Sequence, residues 1–130
     1  MNLDHINISA PLPLLEQVRD FYCAIFDMED GDRPAFGRPG FWLYAGGKPL
    51  IHLIESAEHF PSERPGYLDH VAFRLTGLTG LVERLEAHSI PYRISQRPEL
   101  NMTQLFFRDP AGTGLEANFT GEFLPAAAAR

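Results

Sequence analysis

Leu3-Asp4-His5-Ile6-Asn7-Ile8 returns later in the chain as Leu68-Asp69-His70-Val71-Ala72-Phe73. His5 and His70 are 65 positions apart, and the apolar segment around His52 recurs around Glu116 at a distance of 64. A duplicated unit of that length is too long for a solenoid repeat and describes two modules related by a pseudo-two-fold axis. His5, His52, His70 and Glu116 then fall on two pairs of equivalent positions. All four are residue types that bind metals.

Outward from the repeat, each module reads β-α-β-β-β. Leu3 to Ser9 reads as a strand with Leu3, His5, Asn7 and Ser9 on one face and Ile6 and Ile8 on the other. A helix follows Pro11 and Pro13, which suit a first turn, and carries Leu14, Leu15, Val18, Phe21, Tyr22 and Ile25 to an end near Asp27. Prolines and glycines between Gly31 and Gly40 mark a loop or short strand, and Phe41 to Glu55 forms a hairpin turning at Ala45-Gly46-Gly47. The second module repeats the order: strand Tyr67 to Leu75, helix Leu78 to His88, strand Tyr92 to Ser95, hairpin Met102 to Phe119. Its turn is Asp109-Pro110-Ala111-Gly112, where proline presets φ and glycine admits a positive one. The expected architecture is α+β: two βαβββ modules forming a curved mixed sheet with helices on its outer face. Residues 1–120 make one domain, with modules at about 2–55 and 67–120, a linker at 56–66 and a C-terminal tail at 121–130, of which Pro125 to Arg130 is expected to fray.

Composition limits the partners. The chain has 130 residues, 45% of them hydrophobic, with a net charge of −6, so it builds a real core and lacks the clustered cations that phosphate backbones require. Small molecules are the expected partners, with no nucleic acid and no membrane, and a cytoplasmic location is expected because the first residues lack a secretion-signal pattern. The single cysteine, Cys23, allows no internal disulfide and reads as a buried thiol.

Strand alternation sorts the candidates. His70, Ala72 and Arg74 share a face opposite Val71, Phe73 and Leu75, and Glu116 shares one with Asn118 opposite Leu115, Ala117 and Phe119. His52 is less clear, since Leu50 and Ile54 accompany it. A polar inner face would hold the four candidates in a cup, where imidazoles and a carboxylate must be paired, hydrogen-bonded or metal-bound. Imidazole with one carboxylate suits a divalent Zn, Ni, Fe, Mn or Co ion and leaves positions open for chemistry. Trp42, Tyr44, Phe36, Gln104 and Phe106 are candidates for the cup lining, and Arg74 for an anionic substrate. His59, in the linker, and His88, at a helix end, read as solvated. Asp4 and Asp69 would point away from the adjacent histidines and serve as strand-edge or turn hydrogen-bonders.

These residues resemble the vicinal oxygen chelate superfamily: glyoxalase I, methylmalonyl-CoA epimerase, fosfomycin-resistance proteins, extradiol dioxygenases and bleomycin-binding proteins. The resemblance runs from residue 2 to about 120 and rests on both Leu-Asp-His segments, Phe21-Tyr22, and Phe107-Arg108-Asp109-Pro110-Ala111-Gly112 before Leu115-Glu116. It implies a metal held by His5, His70 and Glu116, a small-molecule substrate and a homodimer. At the end of the first module the glyoxalase relatives carry a carboxylate or amide ligand, where this chain has His52, a base of different pKa. Glu55 is nearby with the opposite parity. Three functions follow as expectations. The first is lyase or isomerase chemistry through a metal-stabilised enediolate, with His52 or Glu116 moving the proton. The second is an extradiol-type iron(II) dioxygenase with His52 as an acid/base beside the ligands, and the third is a protein that only binds a drug or metabolite.

Overall fold

Both repeats fold with one topology. The computed structural model describes residues 1–57 and 67–125, which fall into two compact units, Met1–Arg64 and Pro65–Arg130. The expected linker, with His59, lies largely outside the described residues, as do the last five positions of the tail.

Unit 1 contains β1 (Ile6–Ala10), α1 (Leu12–Phe26), β2 (Glu29–Gly31), β3 (Gly40–Ala45) and β4 (Lys48–Glu55). Its sheet has the order β1-β4-β3-β2, with β1 parallel to β4 and the other pairs antiparallel. Helix α1 starts where proline permits, with Leu14 and Leu15 N–H donating to the Pro11 carbonyl, and stops at Asp27, which takes a left-handed φ of 55°. Its stripe of Leu15, Val18, Phe21, Tyr22 and Ile25 is buried, and so are Leu43, Ile51 and Leu53 on the strands beneath. Gly46 and Gly47 both have positive φ, 59° and 77°, as a two-residue hairpin turn requires.

Unit 2 contains β5 (His70–Arg74), α2 (Leu78–Ala87), β6 (Arg93–Arg97), a 3-10 turn (Pro98–Leu100), β7 (Met102–Arg108) and β8 (Gly114–Thr120), in the sheet order β5-β8-β7-β6. Again the outer pair, β5 and β8, is parallel. Leu78, Leu81 and Leu85 of α2 are buried, as are Leu105, Leu115, Ala117 and Phe119 of the strands. The chain is therefore α+β with two βαβββ modules, each built on a four-stranded mixed sheet.

One reading of a single residue needs correction. Cys23 is half-buried rather than enclosed, although burial still pushes its thiol pKa up. After β8 the chain is held at Glu122 and Leu124. The Glu122 carboxylate accepts hydrogen bonds from the N–H of Gly77 and Leu78 at the start of α2, and Leu124 N–H donates to Gln96.

Candidate metal centre

The strand registers place equivalent residues at equivalent points. His52 sits between Asn7 of β1 and Trp42 of β3, and Glu116 sits between Ala72 of β5 and Phe106 of β7. On each fourth strand the neighbours of these residues, Ile51 and Leu53 or Leu115 and Ala117, are buried under the helix-side face. This settles the parity of His52. It faces away from the core, as Glu116 does.

His5 and His70 both lie where the chain enters the parallel strand, one residue before β1 and at the first residue of β5. In each case the preceding aspartate turns back onto the ring. Asp4 Oδ2 stands 2.6 Å from His5 Nδ1, and Asp69 Oδ2 stands 2.8 Å from His70 Nδ1. Strand alternation points these aspartates away from the histidines, and that expectation fails for a simple reason: neither aspartate lies within its strand, so alternation does not govern it. A carboxylate on Nδ1 fixes the ring and leaves Nε2 to carry the lone pair, an arrangement common behind metal-binding histidines.

In unit 2, His70 Nε2 lies 3.6 Å from Glu116 Oε1. That is long for a hydrogen bond and close to the separation of two donors each about 2.1 Å from one ion, roughly 3.0–3.4 Å at octahedral and tetrahedral angles. Glu116 has only 12% of its side chain exposed, and its other oxygen accepts from Asn118 Nδ2 at 2.8 Å. Asn118 Oδ1 is buried without a hydrogen-bond partner among the described residues. An imidazole nitrogen and a carboxylate oxygen at that separation are two donors of the kind a divalent first-row ion takes. The Asp69 hydrogen bond raises the His70 pKa, with Glu116 adding to it, and the same bond holds Asp69 low.

Unit 1 is arranged differently. His5 and His52 stack, with ring centroids 3.8 Å apart and planes 11° from parallel, and Trp42 stacks on the other side of His52 at 4.1 Å. Imidazole lone pairs lie in the ring planes, and two nearly parallel planes do not meet at one ion close by, so both rings reach it only if one of them turns. His52 Nε2 donates to the Pro49 carbonyl at 3.1 Å, which places its proton there and its lone pair on Nδ1. Burial lowers the His52 pKa, and the His5 charge lowers it further. Both effects disfavour the protonated form of His52. A bond to His5 holds the Asp4 carboxyl below the usual range.

Among the described residues no three metal-binding side chains gather within one group. The structure joins His5 to His52 and His70 to Glu116, each pair inside its own unit. Phe36 and Trp42 line a cavity with His52, and Phe106 lines another with His70. Tyr44 is held elsewhere, its hydroxyl donating to the Asp32 carbonyl at 2.6 Å. Gln104 stands half-buried opposite Asn118, and Arg74 donates to Thr120 Oγ1 at 2.7 Å. His88 caps the end of α2 and is exposed.

Sequence reasoning missed Gly114. It pairs with His70, and a Cβ there would run into the Asp69 carbonyl oxygen and come within 3.2 Å of His70 Cβ. A glycine at the start of an apolar strand, repeated as Gly112-Thr113-Gly114 after the turn, was the available signal of a close backbone approach.

No protein-family model matches the sequence, and no curated protein matches it either. Solved structures do match. A glyoxylase/bleomycin resistance protein/dioxygenase domain from Frankia sp. superposes with a TM-score of 0.74 at 24% identity, over 95% of each chain. The fosfomycin resistance protein FosX from Listeria monocytogenes gives 0.70 at 20% identity, over 92% of this chain and 93% of that one. A glutamate-to-glutamine mutant of FosX, solved with Mn(II) and 1S,2S-dihydroxypropylphosphonic acid, gives 0.70 at 18% identity, over 92% of each. Across nearly its whole length the chain has the fold of these glyoxalase, bleomycin-resistance, dioxygenase and fosfomycin-resistance proteins, the vicinal oxygen chelate fold.

Proposed function

We propose that the protein is a divalent-metal-dependent enzyme acting on a small molecule that offers the metal two oxygens, with lyase or isomerase chemistry of the glyoxalase kind. The observation that carries this reading is the twice-built Asp-His pair, which in unit 2 stands against Glu116. His5, His70 and Glu116 would hold the ion, and a Zn, Ni, Fe, Mn or Co ion suits that donor set. When bound, the ion supplies Lewis-acid polarisation of the substrate oxygens.

The remaining work falls to this chain's own side chains. Asp4 and Asp69 keep the imidazoles oriented through Nδ1, and Asn118 fixes one oxygen of Glu116. His52 is the proton carrier: its N–H is committed to Pro49, its Nδ1 is free to accept, and its lowered pKa keeps it unprotonated near neutrality. Trp42 holds that ring flat from the side opposite His5.

Stacking on both faces of its ring supports His52 as base rather than as ligand. Extradiol-type dioxygenation with iron(II) is the second reading, supported by the same two-histidine, one-carboxylate set. Metal analysis of protein purified without added metal tests the centre itself. His70→Ala should release the ion with little loss of fold, and unchanged stoichiometry would refute the assignment. Turnover of a hemithioacetal under nitrogen selects the first reading; oxygen uptake with catechols selects the second.

A further inference from the structure

Arg33 is seated in unit 1 in a way a surface arginine is not. Its Nε is buried and lacks a hydrogen-bond partner among the described residues, and its guanidinium carbon lies 5.1 Å from the centre of the Phe36 ring. Strand β3 makes room for it at Gly40, where a Cβ would come within 2.8 Å of Arg33 Nη2 and would also strike the Leu53 carbonyl. No carboxylate pairs with it among the described residues. Arg38, on the same loop, spends one N–H on the Glu55 carbonyl at 3.3 Å and carries no ion pair among the described residues either. A half-buried guanidinium with a buried, unpaired Nε, next to an exposed second arginine without a counter-charge, favours an anion between them.

The two arginines line a cavity of about 360 Å³ whose other walls include Asn7, Phe36, Trp42 and His52. Phe36 leans on Trp42 at 6.0 Å, so a tier of flat groups runs from His5 through His52, Trp42 and Phe36 to the Arg33 guanidinium. Flat walls select a flat body, and a planar fork of N–H donors selects an oxyanion.

We infer that this cavity binds a small aromatic or otherwise planar organic acid, its carboxylate or phosphoryl group on Arg33 and Arg38 and its body against Trp42 and Phe36. The inference names the substrate class of the proposed enzyme and in that sense rests on that reading. The binding itself involves only unit 1 and needs no metal.

Trp42 is the single tryptophan and reports on its own site. The full chain is titrated in EDTA with benzoate, with phenylphosphonate and with neutral benzamide, following Trp42 fluorescence. At least one acid should give a saturable change, with benzamide far weaker; comparison of the two acids separates carboxylate from phosphoryl recognition. Loss of a charge-assisted pair weakens binding roughly ten- to hundredfold, which is the drop expected for Arg33→Met, with a smaller one for Arg38→Met. Should Arg33→Met fail to fold, Arg33→Lys keeps the charge without the fork and should still bind several-fold more weakly. Arg97→Met, which removes an arginine paired with Glu99 in unit 2, should bind as the parent does. A flat titration with both acids, equal affinity for benzamide, or parental affinity in the folded Arg33 variant would each overturn the inference. Failure of the metal reading would look different: no ion retained, with the titration intact.

Discussion

Asp69 governs both the orientation and the charge of His70. Because its hydrogen bond raises the imidazole pKa in the folded state, the pair stabilises the fold fully below the ordinary histidine value near 6.5 and loses that contribution as pH rises through the folded value. In metal-free protein, NMR titration should therefore find His70 above the ordinary value, and Asp69→Asn should bring it down. A metal must displace that proton, so its apparent affinity falls in acid. Loss of an outer partner of a ligand histidine costs roughly 10- to 100-fold in metal affinity, and Asp69→Asn should fall in that range. Gly114→Ala reaches the same pair from behind, through the Asp69 carbonyl, and should weaken the metal while His52 and its stack in unit 1 stay as they are. Calorimetric metal titration checks both variants; parental affinity in either removes its residue from the site. The histidines and Glu116 are legible in the sequence because each recurs in the duplicated pattern. The Asp-His bonds are not, because they form just ahead of strands whose first residues cannot be located from periodicity alone.

Helices and hairpins show the same division. Proline at the head of α1, the apolar stripe from Leu15 to Ile25 and the Gly46-Gly47 turn are local signals, and the elements form where those signals stand. The start of α2 at Leu78 is read from its apolar spacing, but what caps it is not. Its N-cap is Gly77, without a side-chain cap of its own, and the orphan N–H groups there are served by Glu122, more than forty residues further along. A cap brought in by tertiary folding leaves no trace in local sequence. Glu122→Ala should cost about 1 kcal/mol, the usual worth of a lost cap, and lower the melting temperature by a few degrees. In the same helix Gly80 has room: its added Cβ would meet only the end of the flexible Arg84 side chain, at 3.1 Å. Gly80→Ala should stabilise by ~0.5–1 kcal/mol through the entropy of the unfolded chain. Urea denaturation of the two variants gives opposite shifts in midpoint if α2 is held as described. An unchanged midpoint for Glu122→Ala would mean that water serves those N–H groups equally well.

At the scale of the molecule, duplication explains why the sequence reveals the fold and only part of the chemistry. One topology is built twice, and the registers keep His5 with His70, His52 with Glu116, and Trp42 with Phe106 at matching points. The copies differ in what those points hold. Unit 2 joins an imidazole to a carboxylate that an asparagine amide N–H holds from its other oxygen, whereas unit 1 stacks two imidazoles on a tryptophan. Rotamers and stacking are side-chain properties that a repeat pattern does not encode, so equivalent positions come to hold different chemistry. The proposed ligands His5, His70 and Glu116 can be tested one at a time. His5→Ala and His70→Ala should each reduce bound metal well below the parental stoichiometry, although the two residues belong to different units. Full retention in His5→Ala would confine the centre to unit 2. If the donors come from two chains of a C2 dimer, refolding the two variants together should restore roughly a quarter of the sites, because each mixed dimer keeps one intact set. Donors drawn from a single chain would restore none, and metal analysis of the refolded mixture separates the two cases.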